Sequence, residues 1–399
     1  MSSVTAPLQL RLQILYFTFT RVILNTTYRM AYPFLGVFAR SLGVDLQTMS
    51  FALTARSVAG GFGPFMASIA DTRGRKFGML AGLGMFICGV VLVVFWPVYP
   101  SLVVSLILTT LGKYLFDPSM QAYLGDRVPY ERRGRTIAVT EFGWSLAFIL
   151  GVPVMGFLIA RHGWLAPFPL LTVLGLLLFA SLWTFLPNDR SQSASSIHPG
   201  YGSNLLKSNF HIVLTSAPAL AGLAVGFLAT IANESVNLVF GVWLEDSFGL
   251  QIGALGASAA VIGIAELSGE GMVAAFVDRL GKPRALAIGL ISNSLAALLL
   301  PLLGHSEIGA LVGLFLFYIT FEFTIVSIIP MMTEILPQAR ATMMAFNVGA
   351  LSLGRALGAP LTSWLYGFGF PIVAAAAVVF NMIALLSLQR LQAMLASRD

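Results

Sequence analysis

The stretch IADTRGRKFGML, residues 69–80, places four charged side chains within six residues of a chain in which only 10% of the residues are charged. Long apolar runs lie on both sides of it, and 57% of the 399 residues are hydrophobic. Soluble domains are about 45–50% apolar and about 25% charged. The chain lacks the polar surface that a soluble protein needs. We therefore interpret it as a multi-pass integral membrane protein whose main solvent is the lipid bilayer.

A helix of about 20 mostly apolar residues crosses a bilayer, and turn or charge signals divide the chain into twelve such stretches. We place the spans at 12–39, 47–70, 77–97, 101–124, 136–160, 165–186, 213–243, 252–276, 285–304, 308–335, 341–366 and 371–389. If the N-terminus is cytoplasmic, sixteen basic residues fall in inner loops or tails, and only Arg40 and Arg161 fall outside. This asymmetry follows the positive-inside rule. We expect both termini in the cytoplasm and the protein in the cytoplasmic (inner) membrane of a bacterium.

One linker, residues 187–211, is rich in Ser, Asn, Gly and Pro and divides the chain into halves at 1–186 and 212–399. The halves repeat one another at an offset of 207 or 208 residues, which pairs Asp71 with Asp278, Asp126 with Glu334, and Pro153 with Pro360. Internal repeats of this kind are common in secondary transporters. The repeat predicts an all-α membrane protein of two pseudo-symmetric six-helix bundles.

The opening stretch falls between the second and third predicted spans, and its spacing resembles the signature of the major facilitator superfamily in that loop. The match covers Asp71, Gly74, Arg75 and Lys76, with departures at Ala67 and Thr72. In the second half the pattern fits again at Asp278, Arg279, Gly281 and Lys282. The resemblance implies twelve transmembrane helices, alternating access between two rocking bundles, and a conformational latch at Asp71 and Arg75 with Asp126 as a partner. A simple positive-inside anchor is the alternative.

Charged residues inside the predicted spans are candidates for function, because each costs at least about 2.5–3.5 kcal/mol to insert at the bilayer centre. They are Arg21, Arg29, Arg56, Lys113, Asp117, Glu141, Glu234, Glu266, Glu270, Glu322 and Arg355. Helical spacing groups several of them with polar neighbours on single faces of the first, fourth, seventh and tenth spans. These four helices line the central cavity in the resembled family. Satisfied pairs, such as Lys113 with Asp117 one turn apart, are the alternative.

On this basis we predict a substrate site and a proton carrier in the membrane interior. The candidate substrate contacts are Arg21, Asn25, Arg29, Tyr32, Lys113, Asp117, Asn233 and Asn237. The candidate proton carriers are Glu234 and Glu322, ranked in that order, and Glu266 and Glu270 are weaker choices because they lie nearer the cytoplasmic surface. The intramembrane charge is +2 in the first half and −3 in the second. That asymmetry predicts an anionic group held near the first and fourth helices and a carboxylate opposite it that carries a proton.

The function that we predict is secondary active transport, with proton-coupled efflux of a small drug-like or amphipathic compound by antiport. The motif GVPVMG, residues 151–156, loosely resembles an element of drug and proton antiporters. Close helix packing and a bend are the alternative explanation of these small residues. The alternative function is proton-coupled uptake of an anionic metabolite, for which the cationic first helix argues.

Other functional classes fit the sequence poorly. The four histidines lie in loops or at helix ends, Cys88 is the single cysteine, and no Gly-rich phosphate loop occurs. We therefore expect no enzymatic activity, no cofactor and no metal site. The basic residues are scattered between apolar runs, which argues against nucleic acid as a partner. A channel would not need the duplicated latch, and we expect a monomer.

Overall fold

The computed structural model describes residues 8–63, 65–66, 73–186 and 210–396, and this part of the chain is helical without β-strands. The helices of the first half are α1 (Leu8–Arg29), α2 (Leu35–Leu42), α3 (Leu46–Gly61), α4 (Arg75–Phe95), α5 (Tyr99–Arg127), α6 (Tyr130–Leu146), α7 (Val152–His162) and α8 (Pro167–Phe185). Those of the second half are α9 (Ala217–Asn237), α10 (Phe240–Phe248), α11 (Ile252–Leu280), α12 (Lys282–Leu303), α13 (Glu307–Ile335), α14 (Arg340–Tyr366) and α15 (Phe370–Ala396).

Apolar composition makes these helices suited to a bilayer. Within the described ranges, nine helical segments are long and apolar enough to cross a membrane. Large apolar side chains also face outward, among them Phe185, which is 79% exposed, and Ile308, which is 76% exposed. In water such faces would be costly to hydrate, whereas lipid covers them. The prediction of an all-α membrane protein is confirmed, and the count of twelve crossings stays a prediction.

The structure breaks two helices that the sequence suggested were continuous. The first predicted span is interrupted at residues 30–34, where Pro33 lacks the N–H that an unbroken helix needs. The seventh is interrupted at residues 238–239, between α9 and α10. The two helices touch beside these breaks. A Cβ on Gly241, in the first turn of α10, would collide with the backbone of Pro33. The interrupted helices therefore meet each other where the two halves join.

Glycine positions set how closely other helices approach. A Cβ on Gly82 of α4 would lie 2.6 Å from the carbonyl oxygen of Gly112 on α5. A Cβ on Gly156 of α7 would lie 3.1 Å from the Cα of Gly256 on α11, in the other half. Small residues permit this close backbone packing, which drives helix association inside a membrane. The contact of α7 with α11 is one of the seams between the halves.

The ends of the helices define two faces of the molecule. The terminal face holds the start of α1 and the end of α15: Leu10 shares a groove with Arg127 and Phe185, and Leu395 shares one with Glu334. The opposite face holds the turns at 43–45, 249–251 and 367–369.

The two halves meet at the opposite face. Arg40 of α2 donates from Nη2 to Glu245 Oε1 of α10 at 2.6 Å. The ring of Trp243 on α10 stacks on Phe370 of α15 at a centroid distance of 3.9 Å, which packs this end of the second half. The molecule is therefore closed across the opposite face. Which face lies in the cytoplasm stays a prediction.

Candidate functional site: the central cavity

A cavity of about 750 Å³ lies between the two halves. Its wall is built from α1, α6, α9, α11, α13 and α14, and much of it is aromatic or aliphatic. The aromatic lining residues are Tyr28, Tyr32, Phe142, Trp144, Phe148, Tyr318 and Phe321. Other lining residues, such as Ala138, Ala274 and Ile329, lie within about three turns of the terminal-face ends of their helices. The cavity thus extends toward the terminal face, while the opposite face is closed.

Arg29 of α1 lines the cavity and makes an ion pair, a hydrogen bond and a contact with an aromatic ring. Its Nη2 donates to Glu266 Oε1 of α11 at 2.5 Å, and its Nη1 donates to the carbonyl oxygen of Trp144 at 3.1 Å. The guanidinium carbon lies 3.4 Å from the centroid of the Phe148 ring. A cation over an aromatic face is stabilised by the ring quadrupole. A substrate anion would have to compete with Glu266 for this guanidinium.

Two cations and two carboxylates form a separate network in the first half. Lys113 Nζ donates to Asp117 Oδ2 at 2.6 Å, and Arg21 Nε lies 3.2 Å from Asp117 Oδ1. Arg21 Nη2 also donates to Glu141 Oε2 at 2.9 Å, and Gln121 Nε2 donates to Glu141 Oε1 at 3.1 Å. The charges of this network balance. It joins α1, α5 and α6, and of its members only Glu141 reaches the cavity wall.

A second buried network surrounds Glu234. Arg56 of α3 donates from Nη1 to the carbonyl oxygen of Tyr28 at 2.7 Å and from Nη2 to the hydroxyl of Tyr32 at 2.8 Å. The Tyr32 hydroxyl and Asn237 Nδ2 each donate to Glu234 Oε2 at 3.4 Å. Glu234 is completely buried. Tyr32 and Asn237 line the cavity and Glu234 does not, so Glu234 lies behind them.

The wall formed by α11 and α13 is acidic. Glu266, Glu270 and Glu322 all line it, and a Cβ on Gly269 would lie 2.8 Å from the Cβ of Glu322, so the two helices touch beside these carboxylates. Arg29 pairs with Glu266. In the described part of the chain, no cation pairs with Glu270 or Glu322. Three carboxylates therefore share one guanidinium. We call Glu266, Glu270 and Glu322 the acidic wall.

Arg355 of α14 also lines the cavity, and sequence reasoning did not place it in the site. Among the residues that the structure describes, it forms no hydrogen bond and no ion pair. The available signal was an arginine inside a predicted span with no acidic residue one turn away. Sequence reasoning also missed Tyr28 and Asn347 in the lining and Glu266 as the partner of Arg29.

The predicted site residues thus divide into two groups. Those in the cavity wall are Arg29, Tyr32, Asn233, Asn237 and Glu322. Those outside the wall are Arg21, Asn25, Lys113, Asp117 and Glu234. Asn25 is completely buried, and neither atom of its amide group hydrogen-bonds to a described residue. A role in substrate binding stays a prediction for each of these residues.

The latch residues lie at the terminal face, except that Asp71 falls outside the described residues. Gly74 has a φ of +98°, a conformation that favours glycine, and α4 begins directly after it. Arg75 Nε lies 3.5 Å from Asp126 Oδ2 at the end of α5. The second half repeats this pair, because Lys282 contacts Glu334 at the end of α13.

The other latch residues in the described ranges are Lys76, Asp278 and Arg279. Lys76 Nζ donates to the carbonyl oxygen of Trp183 at 2.8 Å. Asp278 and Arg279 are exposed. In this state, with the opposite face closed, the two observed latch pairs lie within single halves. The latch function stays a prediction. The assignment of residues 187–211 as a linker also stays a prediction, because residues 187–209 lie outside the described ranges.

The GVPVMG segment provides close packing. Residues Ala147–Gly151 form a π-helical turn before α7, and a Cβ on Gly151 would overlap Thr26 of α1. Gly156 packs on Gly256, as described above. These contacts support the packing explanation of the motif. Among the described residues there is also no cluster of three or more His, Cys, Asp or Glu side chains that could hold a metal ion.

Comparison with known proteins identifies the family. The Major Facilitator Superfamily profile matches residues 17–334 and again residues 223–393. A Bacillus subtilis relative, the uncharacterized MFS-type transporter YwfA, is 24% identical over 86% of this chain and 82% of its own length. A cis,cis-muconate transport protein of Acinetobacter baylyi is 24% identical over 67% of each chain.

A solved structure agrees in fold. A mutant of the peptide transporter POT, in complex with alafosfalin, superposes with a TM-score of 0.75 at 17% identity, covering 95% of this chain and 94% of that chain. At this identity the likeness concerns the fold alone. The helices of the two halves have the same overall arrangement as in that transporter. The chain belongs to the Major Facilitator Superfamily and is a membrane transporter, not an enzyme.

Proposed function

We propose that the protein exports a small amphipathic, drug-like compound in exchange for protons, by alternating access of the central cavity. The observation that carries this proposal is the acidic wall, where Glu322 faces an aromatic cavity without a basic partner among the described residues. The aromatic and aliphatic lining suits the apolar part of an amphipathic compound. The wall supplies the groups that can bind protons.

The charge balance of the wall supports proton exchange. Three carboxylates and one guanidinium leave two negative charges at the acidic wall, where Glu266 is 4% exposed and Glu322 is 8% exposed. Buried charge is costly unless it is paired or neutralised. Protons can neutralise these carboxylates in one state of the cycle, and a bound substrate can displace them in another. Because Glu322 is in the wall and Glu234 lies behind Tyr32 and Asn237, we propose Glu322, with Glu270 near it, as the principal proton site.

The direction of transport follows from two further expectations. The positive-inside rule puts the terminal face in the cytoplasm, and the cavity extends toward that face. A compound in the cytoplasm or inner leaflet can then enter, and closure of the terminal face with opening of the opposite face would release it outside. The Arg40–Glu245 contact is the barrier that must separate during this step.

The test uses purified protein in liposomes with a pH-sensitive dye inside and naphthylmethylamine as the probe. We expect addition of the probe to move protons through the wild type. Glu322→Gln should lose proton-driven accumulation but retain exchange of labelled probe at equal pH. Glu307→Gln, at the exposed start of the same helix and outside the cavity lining, is the matched control and should retain both. Proton-driven accumulation that is undiminished in Glu322→Gln and in a Glu270→Gln/Glu322→Gln double variant would refute the proposal.

Proton-coupled uptake of an anionic metabolite is the second candidate. The relative named as a cis,cis-muconate transport protein favours it, because muconate is an organic anion. Uptake and efflux differ in the sign of the response to an imposed gradient. If cis,cis-muconate enters the liposomes when the outside is acidified and the amine probe moves no protons, uptake replaces efflux as the function.

A further inference from the structure

Arg355 is a cation of the cavity wall that has no protein partner among the described residues. A guanidinium carries five N–H donors in a planar fork, and none of those of Arg355 donates to a described residue. No carboxylate oxygen of the described chain lies within the 4.0 Å of an ion pair. Arg21, Arg29 and Arg56, the other arginines of the cavity region, all have acceptors. A partly buried, unpaired cation is costly, so an uncommitted arginine at this position suggests a ligand.

The packing of α14 on α9 fixes the depth of Arg355. A Cβ on Gly354 would lie 3.0 Å from the Cβ of Thr230, and one on Gly358 would lie 2.8 Å from the Cβ of Glu234. Arg355, between these glycines, is therefore at the level of residues 230–234. Asn233 is in that turn, lines the same cavity, and is 5% exposed with its Nδ2 unpartnered among the described residues. The guanidinium of Arg355 and the Nδ2 of Asn233 therefore belong to residues at the same level of the cavity, and neither group donates a hydrogen bond to a described residue.

The charges at this depth do not balance. Arg355 interacts electrostatically with Glu234 and with the tyrosines Tyr28, Tyr32 and Tyr114. Arg56 is the second cation of the group and is completely buried. Two guanidiniums therefore share the carboxylate of Glu234, which already accepts hydrogen bonds from Tyr32 and Asn237. We call the group of Arg355, Asn233, Arg56 and Glu234 the basic end of the cavity. Its two guanidiniums and one carboxylate leave an excess of one positive charge.

We propose that Arg355, assisted by the amide of Asn233, binds an acidic group, so that the compounds that the cavity accepts include amphipathic organic acids. A carboxylate matches the guanidinium fork in a bidentate geometry. One carboxylate would cancel the excess charge of the basic end. The apolar body of the same molecule would lie against Trp144, Phe148 and Phe321, which line the same cavity.

This inference rests on the proposed function only in that the substrate enters this cavity. The acidic wall and the basic end would then act on different parts of one cycle. The wall exchanges protons, and the basic end recognises the acid.

Binding to the purified full-length protein tests the inference, with naphthylacetic acid and its neutral amide as probes measured by titration calorimetry. The two probes have the same apolar body and differ in charge. A hydrogen-bonded charge pair should make the wild type bind the acid about tenfold to a hundredfold more tightly than the amide. Arg355→Gln should abolish this preference and leave amide binding unchanged. Arg355→Lys should keep part of it, and Arg161→Gln, an exposed arginine outside the cavity, should keep all of it.

Two results would overturn the inference: a wild type that binds the acid no more tightly than the amide, or an acid preference that survives in Arg355→Gln. Elution of each variant as a single species, and its melting temperature, check that it is folded. The assay also separates the two proposals. Proton exchange with the amine probe, without any acid preference, refutes the role of Arg355 and leaves the proposed function intact. Acid binding that depends on Arg355, without proton exchange by any probe, does the reverse.

Discussion

Arg29 of α1 and Glu266 of α11 join the two halves of the protein through a buried ion pair, with 2.5 Å between Arg29 Nη2 and Glu266 Oε1. The side chains are 4% and 5% exposed. Desolvation of two charges offsets much of the Coulomb attraction in such a pair, so its presence alone is weak evidence for stability. Removal of one partner is different, because it leaves an uncompensated charge in the cavity wall.

Glu266→Ala should therefore destabilise the protein strongly. Breaking a buried pair by deleting one partner typically costs about 3–5 kcal/mol, and the melting temperature of the purified protein in detergent would report it. An Arg29→Met/Glu266→Leu double variant replaces both charges by apolar groups of similar size and should recover most of the loss. A double variant as unstable as the single one would show that Glu266 stabilises the fold through contacts other than the pair.

The Arg40–Glu245 pair on the opposite face should control conformation more than stability. Exposed pairs contribute about 0–1 kcal/mol, but like charges at this position would push the halves apart. We expect Arg40→Glu to lengthen the distance between spin labels at Ser41 and Ser247, which lie on the opposite face near this pair. Labelling requires Cys88→Ser, since Cys88 is an exposed free cysteine.

The charge-swapped variant Arg40→Glu/Glu245→Arg is the control for this experiment. It restores opposite charges and should return the label distance to the wild-type distribution. If Arg40→Glu leaves the distance unchanged, the pair does not hold the opposite face closed, and the backbone packing between the halves accounts for closure.

Local features of the site could be predicted from the sequence. Lys113 and Asp117 are one helical turn apart, and the structure pairs them at 2.6 Å, because an i, i+4 spacing brings side chains together in any helix. The polar faces of the first, seventh and tenth spans also come from periodicity alone, and Arg29, Asn237 and Glu322 from these faces do line the cavity. The family signature and the repeat supplied the fold class.

Long-range features could not be predicted. Arg29 and Glu266 are 237 residues apart in the chain, so only the tertiary structure reveals that Glu266 neutralises the cation expected to bind substrate. The sequence did not distinguish Arg355 from the other charged residues of the predicted spans. That Arg355 lacks an ion pair with a described carboxylate depends on the tertiary structure. The break at residues 30–34 was hidden because a proline can also be accommodated as a kink in a membrane helix.

The latch can be tested even though Asp71 lies outside the described residues. If the resemblance to the family holds for this loop, Asp71 stabilises the state in which the opposite face is open. Asp71→Asn should then shift the population toward the observed state. Labels at Ala138 and Ala274, on facing helices of the cavity, should report a longer mean distance than in the wild type. An unchanged distance distribution, together with wild-type transport, would reduce the loop to a topological anchor.

The glycines of α4 offer the sharpest test of the packing, because two of them lie two residues apart in opposite environments. A Cβ on Gly82 would be 2.6 Å from the carbonyl oxygen of Gly112 and 3.0 Å from the amide nitrogen of Phe116, so α4 and α5 must separate to admit it. Gly82→Ala should cost about 1–3 kcal/mol of stability, as overpacking does in other cores.

A Cβ on Gly84 meets no heavy atom of the described chain within 4 Å, and alanine is the better helix former. Gly84→Ala should be neutral or stabilise the protein by up to about 1 kcal/mol. Melting temperatures of both variants in one detergent decide the matter, and similar shifts for the two would contradict the close contact of α4 with α5.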